Sequence, residues 1–171
     1  MRKKSDTEKH FDEALTALYK KDVEEFIDVF YSFGDLLNFA DRDGRTLLFY
    51  AVLENNLDIV KLLIKEGANL NVKDKLGWSP LHYAINEHNP EMVKLLITNG
   101  AKINVKDGFG NTPIWRAVFA SKGRGDIIEL LLLNGADPAI KNNSGISAID
   151  LAKTIANYDV KQFFPEFDSL K

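Results

Sequence analysis

The feature that most constrains the fold of this chain is an internal repeat. Residues 41–73, DRDGRTLLFYAVLENNLDIVKLLIKEGANLNVK, align without a gap with residues 74–106, DKLGWSPLHYAINEHNPEMVKLLITNGAKINVK, so each copy has 33 residues. Residues 107–141 form a third copy with two extra residues, which fall in the sequence ASKGRG, and a shortened fourth copy begins at Asn142. Repeats of about 20 to 50 residues predict an array of stacked similar units.

Every copy carries the signals of a tight turn followed by a short helix. An Asp or Asn stands three residues before a glycine, at Asp41 and Gly44, Asp74 and Gly77, Asp107 and Gly110, and Asn142 and Gly145. This spacing predicts a turn, because glycine adopts positive φ without steric cost. A hydroxyl residue then marks the start of the first helix, at Thr46, Ser79, Thr112 and Ser147.

A second helix is predicted in each copy. Its start is expected at the acidic residues Asp58, Glu91, Asp126 and Asp159. Its end is expected before Gly67, Gly100 and Gly135, where a left-handed residue would cap it. Helices this short are marginally stable alone, so neighbouring units must stack to bury their apolar faces.

The sequences SPLHYAI and MVKLLITNGAKINVKD resemble an ankyrin repeat, which places a turn and two helices around a T-P-L-H-x-A core. The resemblance extends from residue 41 to residue 164, and the segment before it resembles the capping repeats of such arrays. It implies an all-α ankyrin-repeat solenoid of stacked helix-turn-helix units with protruding turn or hairpin tips. The other copies depart from the core, since TLLFYA, TPIWRA and SAIDLA place Phe49, Trp115 and Asp150 at the histidine position.

The repeat boundaries predict a single domain over residues 1–171. Its parts are N-terminal capping helices at 5–40, repeats at 41–73, 74–106 and 107–141, the last with the two-residue insertion, and a C-terminal capping repeat at 142–171. Phe163 and Phe164 align with core positions of a second helix, whereas Phe167 is expected to be free. The mature chain is expected to start near Met1, because acidic residues rather than an apolar run follow MRKK.

Composition argues against several classes of function. The formal net charge is −3, from 22 Lys and Arg against 25 Asp and Glu, whereas nucleic-acid and anionic-membrane binding need clustered positive charge. The chain has no cysteine, which excludes disulfides, thiolate nucleophiles and Cys-based metal sites, and which suits the cytoplasm. No apolar stretch approaches the roughly 18 residues of a membrane span. We therefore expect a soluble cytoplasmic monomer.

His82 is the residue that most resembles a reactive group, and we interpret it as structural. A catalytic histidine needs a nucleophile or an orienting carboxylate, and a metal site needs further ligands. The other histidines are His10, in a charged leader, and His88, which is expected to be exposed. The resemblance implies that His82 links the start of its helix, through Ser79, to the turn of the adjacent unit. We predict no catalytic residue, no metal, no cofactor and no enzymatic activity.

Two other motifs have explanations that need no ligand. Arg124, Gly125 and Asp126 spell an integrin-type tripeptide, but Asp126 aligns with Asp58, so we predict that it caps a helix. The sequence GFGNTP contains a Gly-x-Gly but follows no strand of a βαβ unit, which argues against a dinucleotide-binding loop.

Ankyrin-repeat proteins usually bind partners through a concave face, formed by the turn tips and the exposed sides of the first helices. Carried over to this sequence, the resemblance implies contacts from Arg42, Arg45, Leu53, Glu54, Leu76, Trp78, Asn86, Glu87, Phe109, Asn111, Phe119 and Ile146. Five of them, Leu76, Trp78, Phe109, Phe119 and Ile146, are apolar where a solvated face would be polar, which favours a partner surface. The alternative is that Trp78 and Phe109 only staple adjacent tips. Lys122, Gly123 and Arg124 are expected to form a mobile basic loop that makes a second contact.

The expected function is a non-catalytic protein–protein interaction module that binds a protein partner, without nucleic acid or membrane. One alternative is an immunity or antitoxin-type protein that occludes a toxin or enzyme. An adaptor in a signalling complex, a secreted effector and an enzyme are further alternatives, and an enzyme would need a pocket with paired titratable groups.

Overall fold

Helix pairs joined by tight turns make up the described part of the chain, residues 4–155 and 157–164, in a computed structural model. These residues form nine α-helices, one 3-10 helix and no strand. The α-helices are α1 (Asp6–Lys20), α2 (Val23–Ser32), α3 (Leu47–Leu53), α4 (Leu57–Lys65), α5 (Pro80–Asn86), α6 (Pro90–Thr98), α7 (Pro113–Ala120), α8 (Asp126–Leu133) and α9 (Ala148–Thr154). The 3-10 helix is Val160–Phe163. The predicted all-α fold is confirmed.

The helices stack in two layers. The first helices α1, α3, α5, α7 and α9 each contact the next one in this order, and α6 contacts α8 in the layer of second helices. Within each unit the two helices also pack on each other, as α3 does on α4 and α5 on α6. Helices α1 and α2 form a pair of the same kind ahead of the first full unit, where the sequence predicted a cap. Met1 and Phe167 lie outside the described residues.

The core runs through the whole stack, because every unit buries the same apolar positions. In the unit of α5 and α6 these are Leu81, Ala84, Ile85, Met92, Val93 and Leu96. The unit of α7 and α8 buries Ile114, Ala117, Val118, Ile127, Ile128 and Leu131 at the matching positions. Stacking therefore supplies the apolar burial that a single pair of short helices cannot provide. The longest described helix, α1, has 15 residues, and no helix among the described residues has the length and apolar character to cross a bilayer.

The predicted helix starts and glycine caps largely match the structure. Thr46, Ser79, Thr112 and Ser147 stand at the N-caps of α3, α5, α7 and α9. Gly67, Gly100 and Gly135 have φ of +89°, +99° and +87°, the left-handed conformation expected after α4, α6 and α8.

The predicted cap at Asp126 is wrong. The N-cap of α8 is Gly125, which has no side chain to bond the helix, and Asp126 is the first residue of the helix. The aromatic ring of Phe163 packs on Gly125, where an added Cβ would lie 2.0 Å from the ring carbon Cε1. A side-chain cap is therefore sterically excluded at this position.

Helices α4 and α6 each begin one residue earlier than predicted, at Leu57 and Pro90, whereas α8 begins at Asp126 as predicted. Asn56 and Asn89 cap α4 and α6, and their Oδ1 atoms accept the backbone N–H groups of Ile59 and Met92 at 3.1 and 3.0 Å. After α9, Asp159 precedes only the 3-10 helix Val160–Phe163.

Among the tip glycines, Gly77 makes the closest approach to the backbone of a neighbouring unit. Its φ is +75°, and an added Cβ would lie 2.4 Å from the backbone nitrogen of Gly108. Gly67 has a similar φ of +89°, but no atom lies within 4 Å of an added Cβ. Comparison of alanine substitutions at the two glycines therefore separates the energetic cost of positive φ from that of steric overlap.

Replacement of Gly77 by Ala should lower the free energy of unfolding by about 3 kcal/mol, because alanine adds left-handed strain and overlaps the Gly108 backbone. The control Gly67→Ala should cost about 1 kcal/mol, from the strain alone. Urea unfolding followed by circular dichroism measures both variants. Equal losses would contradict the close packing of the second and third turns.

Candidate functional site

Each turn tip is built around a side-chain oxygen of its Asp or Asn, and this residue is buried in the second and third tips. In the second unit, Oδ1 of Asp74 accepts the backbone N–H groups of Leu76 and Trp78 at 2.9 and 3.0 Å. The backbone closes the same turn, because the Asp74 N–H donates to the Trp78 carbonyl at 2.9 Å. Asp41, Asp107 and Asn142 form the same bonds in the other tips. The Asp or Asn of each predicted turn therefore fixes the conformation of its tip.

The second carboxylate oxygen ties the tip to the first helix of the same unit, nine residues later. The three pairs are Tyr50 Oη with Asp41 at 2.6 Å, Tyr83 Oη with Asp74 at 2.6 Å, and a guanidinium nitrogen of Arg116 with Asp107 at 3.1 Å. Burial, and then the bond to Asp74, raises the pKa of Tyr83 to about 12, so its hydroxyl stays protonated and donates.

Backbone hydrogen bonds join the tips of successive units. A backbone N–H in each later tip donates to a carbonyl of the tip before it, from Lys75 to Asp43 at 2.8 Å, from Gly108 to Leu76 at 2.9 Å and from Asn143 to Phe109 at 3.0 Å. The four tips therefore form one continuous surface.

Two arginines connect neighbouring units beneath this surface. Arg45 of the first full unit donates to the Tyr83 hydroxyl at 2.8 Å and lies 3.5 Å from the Asp74 carboxylate. Arg116 of the third unit bonds its own Asp107 and places its guanidinium 4.4 Å from the ring centre of Trp78 in the second unit. Stacking of a guanidinium on an aromatic face is attractive, so these contacts stabilise the unit interfaces.

Trp78 belongs to this interior network. Its side chain is partly buried, its ring lies 4.9 Å from that of Tyr83, and Arg116 covers it. The structure therefore favours stapling over partner contact for Trp78. Phe109 differs, because 63% of its side chain remains exposed at the next tip.

Four of the five predicted apolar contact residues are well exposed. Their exposed fractions are 52% for Leu76, 63% for Phe109, 61% for Phe119 and 39% for Ile146. The first two and Ile146 occupy three successive tips, and Phe119 lies near the end of α7, where it stacks on Trp115 with ring centres 5.6 Å apart.

The remaining predicted contact residues fall into three groups. Arg42, Asn86 and Glu87 are exposed, whereas Arg45, Leu53 and Glu54 are partly buried. Asn111 was expected at the surface, and this is wrong, because only 5% of it is exposed. Its amide donates to Asp107 at 3.2 Å and its oxygen accepts from Asn142 at 2.8 Å, since the third and fourth tips pack directly on each other.

His82 is fully buried and is bonded to the start of its own helix. Its Nδ1 accepts the backbone N–H of Ser79 at 3.2 Å and lies 2.9 Å from the Ser79 hydroxyl, so the proton of the neutral ring sits on Nε2. Nε2 has no hydrogen-bond partner of good geometry among the described residues. Burial lowers the pKa of His82 to about 4, against the opposing effects of Asp107 and the Asn111 backbone.

His10 and His88, unlike His82, differ from expectation. His10 lies within α1 rather than in a leader, and its ring stacks on Phe33 with centres 3.4 Å apart. His88 is partly buried rather than exposed, and its Nε2 lies 3.2 Å from the Asp126 carboxylate. Within residues 4–155 and 157–164 there is no group of three or more His, Asp or Glu side chains placed to hold a metal ion.

The integrin-type tripeptide does not form a free loop tip. Gly125 is covered by the Phe163 ring, and Asp126 contacts His88. The Arg124 Nε donates to the Ser121 carbonyl at 3.2 Å. These contacts explain the three residues as part of the connection between α7 and α8.

Sequence reasoning missed the residues that hold the concave face together, namely Tyr50, Tyr83 and Arg116. A signal was present, because a tyrosine follows the turn aspartate by nine residues in two copies, at Tyr50 and Tyr83. The missed Tyr19, at the end of α1, extends this aromatic row, with its ring 6.4 Å from that of Tyr50.

The chain matches a protein-family model. A family model described as ankyrin repeats in three copies matches residues 5–107 and 67–142, which include the N-terminal helix pair. No curated protein matches the chain.

Acid should destabilise the fold through His82, whose pKa of about 4 lies below the unfolded value of 6.5. Between these pH values the unfolded chain binds a proton that the folded chain excludes, so the free energy of unfolding falls as pH falls. The loss from this group is about 3 kcal/mol, is absent above about pH 6.5 and is complete below about pH 4.

Urea unfolding across this pH range, for the natural protein and for His82→Gln, measures the effect. The stability difference between the two should shrink by about 3 kcal/mol as pH falls from 6.5 to 4. A difference that stays constant with pH would show that His82 does not resist protonation.

Proposed function

Because the chain belongs to the ankyrin-repeat family, we propose that it is a non-catalytic module that binds a protein partner through its concave face. Ankyrin repeats are generally protein–protein interaction modules. The observation that carries the proposal is the row of exposed apolar side chains Leu76, Phe109 and Ile146 on three tips joined by backbone hydrogen bonds. Contiguous exposed apolar surface usually marks an interaction site.

The energy for binding would come from burying these side chains. A large apolar side chain contributes about 1.5 to 3 kcal/mol when it moves from water into a fully buried site. Phe109 and Phe119 are more than half exposed, so each retains most of this contribution for a partner. Aromatic anchors of this kind often dominate the energy of an interface.

The tips support tight binding because they are already ordered. Asp74 and Asp107 hold their turns through side-chain bonds, and the backbone bonds between tips restrict their relative motion. Association then requires little additional ordering of the backbone, and this ordering is one of the main costs of binding.

The histidine and the tip carboxylates favour a binding role over catalysis. His82 is neutral, buried and bonded to Ser79, and Asp74 and Asp107 are occupied by Tyr83 and Arg116. A general base must reach a substrate proton, and these groups already serve the stack. We further propose that the chain acts as a monomer in the cytoplasm, in keeping with its lack of cysteine.

The double variant Phe109→Ala, Phe119→Ala should weaken partner binding by about 10-fold or more, since each substitution removes exposed aromatic surface. Leu133→Ala is the matched control, because Leu133 ends α8 in the layer of second helices and is 86% exposed. The natural protein, the double variant and Leu133→Ala are each used for affinity purification from cell extract. Titration of each protein with the retained partner then measures the change in affinity. Equal retention by the double variant and the natural protein would rule out the concave face as the binding site.

A further inference from the structure

The connection between α7 and α8 is longer than its counterparts and carries two cations. It spans residues 121–125, whereas residues 54–56 and 87–89 make the same connection in the preceding units. The two additional residues of the third copy therefore lie here. The side chains of Lys122 and Arg124 on this loop are both exposed.

Hydrogen bonds of Ser121 organise this loop into a turn. Lys122 and Gly123 both have positive φ, of 50° and 86°, and Ser121 anchors the turn. The Ser121 hydroxyl accepts the Gly123 N–H at 3.3 Å, and its carbonyl accepts the Arg124 N–H at 3.0 Å. These bonds fix the backbone from which both cationic side chains extend.

Aromatic rings of the C-terminal part brace the loop from beneath. An added Cβ on Gly123 would lie 2.8 Å from Cδ1 of Tyr158, and one on Gly125 would lie 2.0 Å from Cε1 of Phe163. Both glycines are therefore in direct contact with the rings. The array positions this loop as part of a fixed surface.

The two cations have no acidic partner within the described part of the chain. No carboxylate there lies within ion-pair distance of Lys122 or Arg124. The adjacent Asp126 is directed to His88, at 3.2 Å. Within residues 4–155 and 157–164, the positive charge on this loop is therefore not neutralised by a carboxylate and is left for a ligand.

A groove of about 460 Å³ lies beside the loop. Its lining residues are Asn86, Glu87, His88, Phe119, Ala120, Lys122 and Arg124. Phe119 supplies an apolar surface, and its ring is held in place by the stack on Trp115. The groove thus combines two cations, one exposed aromatic ring and one carboxylate, that of Glu87.

We propose that this groove binds an acidic segment of the protein partner, with carboxylates at Lys122 and Arg124 and an apolar side chain against Phe119. The inference rests on the proposed protein-binding function and specifies the chemistry of the partner. Carboxylates of the partner can form charge-assisted hydrogen bonds with Lys122 and Arg124, and an apolar side chain next to them in the partner can pack on the Phe119 ring. Glu87 disfavours a polyanion such as nucleic acid, whereas a peptide can keep its acidic residues on the cationic side.

A random peptide display library, selected against the full chain, tests this inference. Selected peptides should carry Asp or Glu next to an aromatic or branched apolar residue. The variant Lys122→Gln, Arg124→Gln should bind them about fivefold more weakly or worse. The control Lys61→Gln, Lys94→Gln removes the same charge from exposed lysines of α4 and α6, and it should leave binding unchanged.

A third variant gives a gain of affinity that a merely structural role would not produce. Glu87→Gln removes the opposing carboxylate from the groove, and it should strengthen binding of the acidic peptides by about twofold or more. Weaker binding to this variant would contradict the proposed position of the acidic residues.

The possible failures point to different conclusions. Selection of peptides without acidic residues would overturn the groove assignment. Equal losses of peptide affinity in Lys122→Gln, Arg124→Gln and in the control Lys61→Gln, Lys94→Gln would also overturn it. If the selected peptides nevertheless bound more weakly to Phe109→Ala, the proposed binding through the concave face would stand, and only the groove assignment would fail. Selection of no peptide would count against both proposals. If a single-stranded DNA oligonucleotide bound as tightly as the peptides and responded in the same way to the substitutions at Lys122, Arg124 and Glu87, the ligand would be a nucleic acid and the assignment of an acidic peptide would be wrong.

Discussion

The hydrogen bonds of the tip carboxylates, which are buried at Asp74 and Asp107, are the interaction on which the rest of this structure depends. One oxygen of Asp74 closes its turn, and the other accepts the Tyr83 hydroxyl of the following helix. A buried charge is costly unless it is paired and hydrogen-bonded, so the tip and the helix must keep their relative position. Arg45 adds a link from the preceding unit, at 3.5 Å from the same carboxylate. The first three tips are thereby tied to the first helices of their own units, and the carboxylate of the second tip is also linked to the preceding unit.

This network divides the concave face into two sets of side chains. One set holds the units together and consists of Arg45, Tyr50, Trp78, Tyr83, Asn111 and Arg116. The other set is left exposed and consists of Leu76, Phe109, Phe119 and Ile146. Aromatic and arginine residues that look alike in the sequence therefore have different roles, and the exposed set is the one that can supply binding energy to a partner.

The 33-residue period predicted the helical array and most of its caps because those features depend on local preferences. Positive φ at Gly67 and the cap at Ser147 follow from residue type and position alone. Contacts between units were harder to predict, because polar residues at a tip can face water or pair across an interface. The burial of Asn111 was missed because its partner Asn142 is 31 residues away. The cap predicted at Asp126 was wrong because the N-cap is Gly125, and the Phe163 ring that packs on this glycine comes from the end of the described chain.

The central claim is that the tips form one preformed surface before any partner binds. Hydrogen exchange of the free protein tests it most directly, at the amides of Lys75, Gly108 and Asn143, which donate across successive tips. We predict that these amides exchange about 100-fold or more slowly than those of an unstructured peptide. Exchange at the unstructured rate, while the amides of α5 stay protected, would show that the tips order only on binding and would contradict the account.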